Sequence, residues 1–280
     1  MLLTLTARSL ESMLVGKGAK PPELELVELP AYARQSLGLH GVNLTTTLLT
    51  GMDRSALVEI RERCDKEGCA CLMLSEPEPQ PLGDEDIDVA EKALERTIRV
   101  IEAASILGCN AASIRPAGKA DEDTLERTAE SLKSVMSRAE RLELNLLVEP
   151  NKGLTETPDQ VTALLKKVGG FRVGTLPDFA AAAASDDPEG YLRRLTPYAS
   201  VVQATLTDFR APGGGEPDDL PDAPVEHAGS DIEPLVAAVL SVGYDGTLAI
   251  DYQGKGDPSI GILRGRQVLE EAMAKAAESK

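Results

Sequence analysis

Short apolar runs alternate with longer amphipathic stretches along most of the chain, the pattern of parallel βα units. The alternation is regular from residue 53 onward. Apolar runs predict strands over 69–74, 111–114, 145–148, 172–176, 200–204 and 247–250. Helical spacing fills the gaps, over 53–65, 84–107, 121–142, 157–167, 188–195, 231–242 and 260–277. Several of these helices open on acidic residues, which suits the positive end of the helix dipole. Thr157-Pro158 reads as a cap followed by proline at the first helical position, and Gly169-Gly170 as a stop. The first fifty residues are less regular. A strand is expected over 2–7, a helix from about Ser9, and a turn at Lys20-Pro21-Pro22. Residues 24–29 and 40–46 both look strand-like, and one of them is expected to lie outside the main sheet. Counted this way the chain supplies eight βα units. We therefore expect an α/β fold, a (β/α)8 TIM barrel with parallel strands and outer helices, as a single domain over 1–280.

Four predicted strands in the second half end on a polar side chain. Leu-Leu-Val leads to Glu149, Gly-Thr-Leu-Pro to Asp178, Ser-Val-Val to Gln203 and Leu-Ala-Ile to Asp251. In a barrel, residues at the carboxyl ends of neighbouring strands converge on one mouth. Three carboxylates and an amide oxygen form an all-oxygen donor set, which suits Mg²⁺ or Mn²⁺ better than Zn²⁺. A metal there would polarise a carbonyl, and a carboxylate would remove the proton from the neighbouring carbon. Glu149 and Asp251 are the natural catalytic pair for opposite sides of that carbon. The competing expectation is that these are isolated strand ends satisfied by loop backbone, and the residue types alone leave both open.

Further candidates lie near the same mouth. Arg115, in Ile-Arg-Pro, suits a carboxylate or phosphate, although a plain ion pair fits equally. Asn151 and Lys152 follow Glu149 closely enough to touch substrate. Glu76, in Ser-Glu-Pro-Glu-Pro, is a weaker candidate against a solvated loop charge. The two histidines, His40 and His227, stand in no ligand pattern and read as structural. No GxGxxG, GxxxxGK[ST] or GxSxG pattern stands where its chemistry needs it, and Gly213-Gly214-Gly215 opens no helix. The segment 210–230, rich in Gly, Pro and Asp, reads as a long loop on the working side of the barrel.

Composition narrows the partners. The chain has 280 residues, 42% of them hydrophobic, and its aromatic content is 3% with no Trp, so aliphatic side chains must fill the core. A formal net charge of −17 disfavours nucleic acid and anionic lipid as partners. Cys64, Cys69, Cys71 and Cys109 show no CxxC or zinc spacing and read as reduced thiols in or near the core. The apolar N-terminal run is too short for a signal peptide and no window approaches a membrane span. The expected compartment is the cytoplasm.

The segments Leu-Val-Glu149-Pro-Asn-Lys-Gly, Val-Gly-Thr-Leu-Pro-Asp178-Phe, Gln203-Ala-Thr-Leu-Thr-Asp-Phe and Gly243-Tyr-Asp-Gly-Thr-Leu-Ala-Ile-Asp251-Tyr-Gln-Gly resemble the xylose isomerase-like TIM-barrel superfamily, in particular its sugar phosphate isomerase/epimerase group. The resemblance spans most of the chain and is firmest over 144–253. It implies a divalent metal at Glu149, Asp178, Gln203 and Asp251, a sugar or polyol substrate, and pairing into a homodimer. Four departures are systematic. Gln203 stands where His is common, Asp251 where Glu is common, Ala181 where His or Asn is common, and Thr205 where Lys is common. Each keeps or lowers ligand strength. The leading expectation is a metal-dependent isomerase or epimerase of a sugar, sugar phosphate or keto-polyol, with a lyase or dehydratase sharing its first step. From another class comes a barrel that has lost catalysis, and with it the metal, and serves as a ligand- or partner-binding subunit. An abasic-site nuclease, known from a related branch, would need a basic groove and several His ligands, which this chain lacks.

Overall fold

The computed structural model describes residues 1–16, 20–218 and 223–278. β1 (Leu2–Thr6) is followed by a 3-10 turn and a four-residue helix, α1 (Glu11–Leu14). Helix α2 (Leu29–Gln35) precedes β2 (Gly41–Thr45). Regular alternation then begins with α3 (Arg54–Glu67), β3 (Ala70–Gln80), α4 (Ile87–Leu107), β4 (Ala111–Pro116) and α5 (Glu122–Arg141). It continues through β5 (Asn145–Val148), α6 (Pro158–Val168), β6 (Val173–Thr175), α7 (Phe179–Ala183), α8 (Pro188–Leu195) and β7 (Val201–Leu206). A two-residue pair, β8 (Phe209–Arg210) with β9 (Glu226–His227), leads to α9 (Ile232–Ser241), β10 (Thr247–Tyr252) and α10 (Pro258–Glu278).

The polar residues that open the helices are N-caps. Asp53 accepts from the Ala56 amide at 3.0 Å, Asp121 from Thr124 at 2.8 Å and Asp187 from Gly190 at 2.9 Å. Thr157 and Gln160 form a reciprocal capping box. At the other ends, Gly68 and Gly108 take left-handed φ angles of 62° and 80°, which let α3 and α4 turn sharply into β3 and β4.

Eight strands form one parallel sheet in the order β6-β5-β4-β3-β2-β1-β10-β7. The curl is completed between β6 and β7 by two isolated parallel bridges, Thr175 with Ala199 and Asp178 with Gln203. The fold is a (β/α)8 barrel. Alternate strand residues face opposite ways, so the core splits in two. The large cluster lies between sheet and helices and includes Leu5, Val42, Leu74, Ile114, Val148 and Ile250. The small cluster, Met73, Ala111, Leu147, Leu176, Val201 and Ala249, fills the inside of the barrel. Inward positions two and four residues further along the strands carry the polar side chains of the mouth.

Three sequence expectations change. Residues 24–29 are not a strand: a 3-10 turn over Leu26–Glu28 runs into α2, with Pro30 in its first turn. Leu24 and Leu26 alternate with charges but pack as a turn against the core, so 40–46 supplies the second barrel strand. β3 runs past 69–74 to Gln80 because Pro79 and Gln80 pair with Arg115 and Pro116 after a register shift. The expected loop 210–230 begins and ends in the β8–β9 pair, and its residues 219–222 lie outside the described residues. Among the described residues no helix is long and apolar enough to cross a membrane.

Candidate functional site

Inward alternation on each strand decides which side chains reach the mouth. On β1 the inward series is Thr4, Thr6 and then Arg8; on β2 it is Gly41, Asn43 and Thr45. β4 presents Ala111, Ser113 and Arg115, and β5 presents Leu147 and then Glu149. Across the curl come Leu176 and Asp178 from β6, Val201, Gln203 and Thr205 from β7, and Ala249 and Asp251 from β10. A tight cleft, lined by Arg8, Asn43, Ser75, Arg115, Glu149 and Gln203 among others, lies at this mouth and has room for about one water molecule.

The four strand-end residues meet there, but not around an empty centre. Asp251 is fully buried, and its Oδ2 accepts from Arg8 Nη2, Gln203 Nε2 (3.2 Å), Thr205 Oγ1 (3.2 Å) and Gln253 Nε2 (2.7 Å). Arg8 Nε reaches its Oδ1 at 3.4 Å. Glu149, 7% exposed, accepts from Arg115 Nη2 on Oε1. Asp178 Oδ1 accepts the Thr205 amide at 3.1 Å. Burial among protein atoms, with Asp251 and Glu149 nearby, pushes the Asp178 carboxyl up to about 6, against the Thr205 hydrogen bond. Burial lowers the pKa of the Arg8 guanidinium, but the Asp251 hydrogen bond and the charges of Asp251, Glu149 and Asp178 outweigh it and raise the net value.

The remaining candidates fall in different places. Asn151 is part-buried and its Nδ2 donates to the Pro116 carbonyl at 3.4 Å, while Lys152 is exposed beside it. Glu76 is fully buried and directed to the outside of the barrel, where it pairs with Arg96 of α4 and accepts the Glu78 amide at 3.1 Å. His227 braces the β8–β9 pair: its Nε2 accepts the Thr207 amide at 3.0 Å, and its Nδ1 lies 3.1 Å from the Ser230 carbonyl. His40 lies against Arg34 on the surface. All four cysteines are buried and unbridged, and burial pushes Cys64 up to about 12 and Cys69 to about 11.

Sequence reading missed Arg8 and Gln253. Arg8 was legible in principle, since it continues the period-two series of Thr4 and Thr6.

A divalent ion needs several anionic oxygens turned to one point. Here guanidiniums hold Glu149 Oε1 and both oxygens of Asp251, and Gln203 turns its amide nitrogen, not its oxygen, toward Asp251. Among the described residues no group of three His, Cys, Asp or Glu side chains has the placement to hold a metal. The residues as arranged do not fit a divalent ion.

The xylose isomerase-like TIM barrel profile matches residues 31–275. The chain belongs to that family. No curated protein matches it in sequence. Among solved structures similar to this family member, an L-ribulose 3-epimerase superposes with a TM-score of 0.80 at 15% identity, covering 100% of this chain and 97% of the other. The IOLI protein with a bound zinc atom gives 0.73 at 13% identity, covering 99% of each chain. D-psicose 3-epimerase from Clostridium cellulolyticum H10, solved with D-tagatose, gives 0.70 at 15% identity, covering 99% of this chain and 97% of the other. At such identities the likeness shows the shared barrel.

Proposed function

We propose that this barrel is an isomerase or epimerase of a sugar or keto-polyol, acting by proton transfer at a carbon next to a carbonyl. The observation that carries it is the unequal state of the two candidate catalytic carboxylates. Glu149 borders the cleft with one oxygen on Arg115 and, among the described residues, no hydrogen bond to the other, Oε2. That oxygen is the group placed to take a proton. Asp251 is held by four side chains and is better suited to fix the mouth than to move a proton. This divides the expected pair: Glu149 is the base, and Asp251 orders the arginine, amide and hydroxyl around it.

In this reading substrate enters from the loop side, past Asn151 and Lys152. The proton leaves the substrate carbon for Glu149 Oε2, and negative charge develops on the neighbouring oxygen. The Arg8 and Arg115 guanidiniums are cationic donors lining the cleft, and fixed donors in a water-poor site favour such charge. Return of that proton from Glu149 to the adjacent carbon, with the hydroxyl proton there passing to the former carbonyl oxygen, moves the carbonyl; inversion of the centre takes a proton delivered by water to the opposite face while Glu149 releases its own to solvent. Glu76 has no part in this scheme, since it faces α4. The structural likeness to an L-ribulose 3-epimerase and a D-psicose 3-epimerase supports the substrate class. The Mn²⁺ or Mg²⁺ that the resemblance implies enters no step, because the donor set does not fit it.

The test is solvent-deuterium exchange into a panel of ketoses, using chelator-treated protein. Exchange is expected with wild type and absent in Glu149→Gln. Exchange that persists in that variant would remove Glu149 from the role. A second reading, a non-catalytic ligand-binding barrel, is favoured by the two ion pairs that narrow the cleft. It predicts thermal stabilisation by a ketose with no exchange at all.

A further inference from the structure

The disagreement between the family's implied metal and this mouth has a structural cause. Three carboxylates from three strands converge, and charges that close repel unless a cation lies among them. This chain supplies the cation itself. Arg8 projects from the end of β1, binds Asp251 through Nε and Nη2, and feels the charges of Asp251, Glu149 and Asp178 together. Its side chain is 30% exposed while that of Asp251 is fully buried, so the guanidinium lies over the carboxylate with one edge toward the cleft. Arg115 pairs with Glu149 through Nη2 from the end of β4. Gln203 then adds an amide donor toward Asp251, where a metal ligand would turn an acceptor inward.

We propose that Arg8 is the resident cation of this barrel mouth, holding in covalent form the charge that a divalent ion would otherwise bring, with Arg115 as its partner at Glu149. The site is then built to operate without a metal. Arg8 is fixed in the chain, so its charge does not dissociate, and a guanidinium keeps that charge at any working pH. It also differs from a metal in its geometry. A guanidinium presents planar N–H donors rather than an open coordination sphere, so it hydrogen-bonds oxygens lying in its plane and does not chelate a carbonyl and its neighbouring hydroxyl as a metal would. Within the function proposed above, on which this role rests, that makes Arg8 the positioning group for the oxygen where charge develops.

The experiment reads metal binding, not turnover, so it is independent of whether the isomerase reading holds. Chelator-treated wild-type protein is titrated with Mn²⁺ and followed by calorimetry and by the electron spin resonance signal of the free ion. Wild type is expected to show no stoichiometric binding at this site. Arg8→Met uncovers the carboxylates, and its affinity for Mn²⁺ should rise at least about tenfold, a change worth about 1.4 kcal/mol. Arg115→Met should show a smaller gain, and it decides the matter if Arg8→Met does not fold. In whichever variant gains affinity, adding Asp178→Asn should remove the gain. The proposal is overturned if wild type binds one Mn²⁺ that Glu149→Gln or Asp251→Asn releases. It is equally overturned if a folded arginine variant gains nothing. Deuterium exchange that fails while these titrations succeed would sink the proposed function and leave this assignment standing.

Discussion

Two corners of the same mouth hold the same chemistry in different states. At β10, Asp251 is fully buried and held by Arg8, Gln203, Thr205 and Gln253. At β5, Glu149 meets Arg115 as its one side-chain hydrogen-bond partner among the described residues. Both are arginine–carboxylate pairs between neighbouring barrel strands, and both arginines are 30% exposed. The difference lies in how many donors the carboxylate already has. A carboxylate with four partners is part of the architecture, whereas one with a single partner keeps an oxygen to react with. The corners therefore divide stability from chemistry, and substitutions should separate the two.

The largest loss is expected at the crowded corner. Asp251→Ala leaves a guanidinium, two amides and a hydroxyl without their shared acceptor. A cost of about 3–5 kcal/mol is expected, read from the urea midpoint. If it costs no more than Glu149→Gln, the two corners are not different in kind. Next come the arginines compared with each other. Arg8→Met should cost about 2–3 kcal/mol and Arg115→Met about 1–2 kcal/mol, because Asp251 is the more deeply buried partner. A reversed order would break the comparison. Glu149→Gln should cost less than about 1 kcal/mol yet lower deuterium exchange by at least about 100-fold, the usual contribution of a positioned base.

The smallest effect belongs outside both corners and serves as their control. Burial lowers the pKa of His227 below its ordinary 6.5, against the opposing Ser230 hydrogen bond and Asp208 charge. The folded state thus favours the neutral ring. The stability it contributes is present above about pH 6.5 and is lost as pH falls through the lower folded-state value. The stability difference between wild type and His227→Gln should shrink on acidification from pH 7 to pH 5, with exchange by Glu149 at pH 7 unaltered. A difference that grows on acidification would mean that the folded state prefers the charged ring.

Most of the barrel was legible because its signals are local. Asp53, Asp121, Thr157 and Asp231 announce helix starts whose caps the structure realises. The strands over 145–148 and 247–250 are short apolar runs with polar neighbours. Where a local pattern has two physical readings, the sequence could not choose. Leu24 and Leu26 alternate with Glu23 and Glu25 as a strand would, yet Pro30 in the first turn of α2 leaves 24–29 as a lead into a helix. The convergence of Glu149, Asp178, Gln203 and Asp251 was legible from strand ends alone. Their satisfaction was not, since Arg8 and Asp251 are 243 positions apart and only the completed barrel brings them together. Glu76 shows the same limit in reverse: its place after an apolar run suggested the mouth, but strand parity turned it outward to Arg96.

The two bridges between β6 and β7 have a further consequence. Neither bridge extends into a ladder, so this junction is a thin seam of the barrel, and Asp178 and Gln203 are two of the four residues that close it. Local breathing starts where the fewest backbone bonds must part. A small parting there would carry β6 and β7 away from each other and widen the mouth beside Asp178 and Gln203, without disturbing the rest of the stave work.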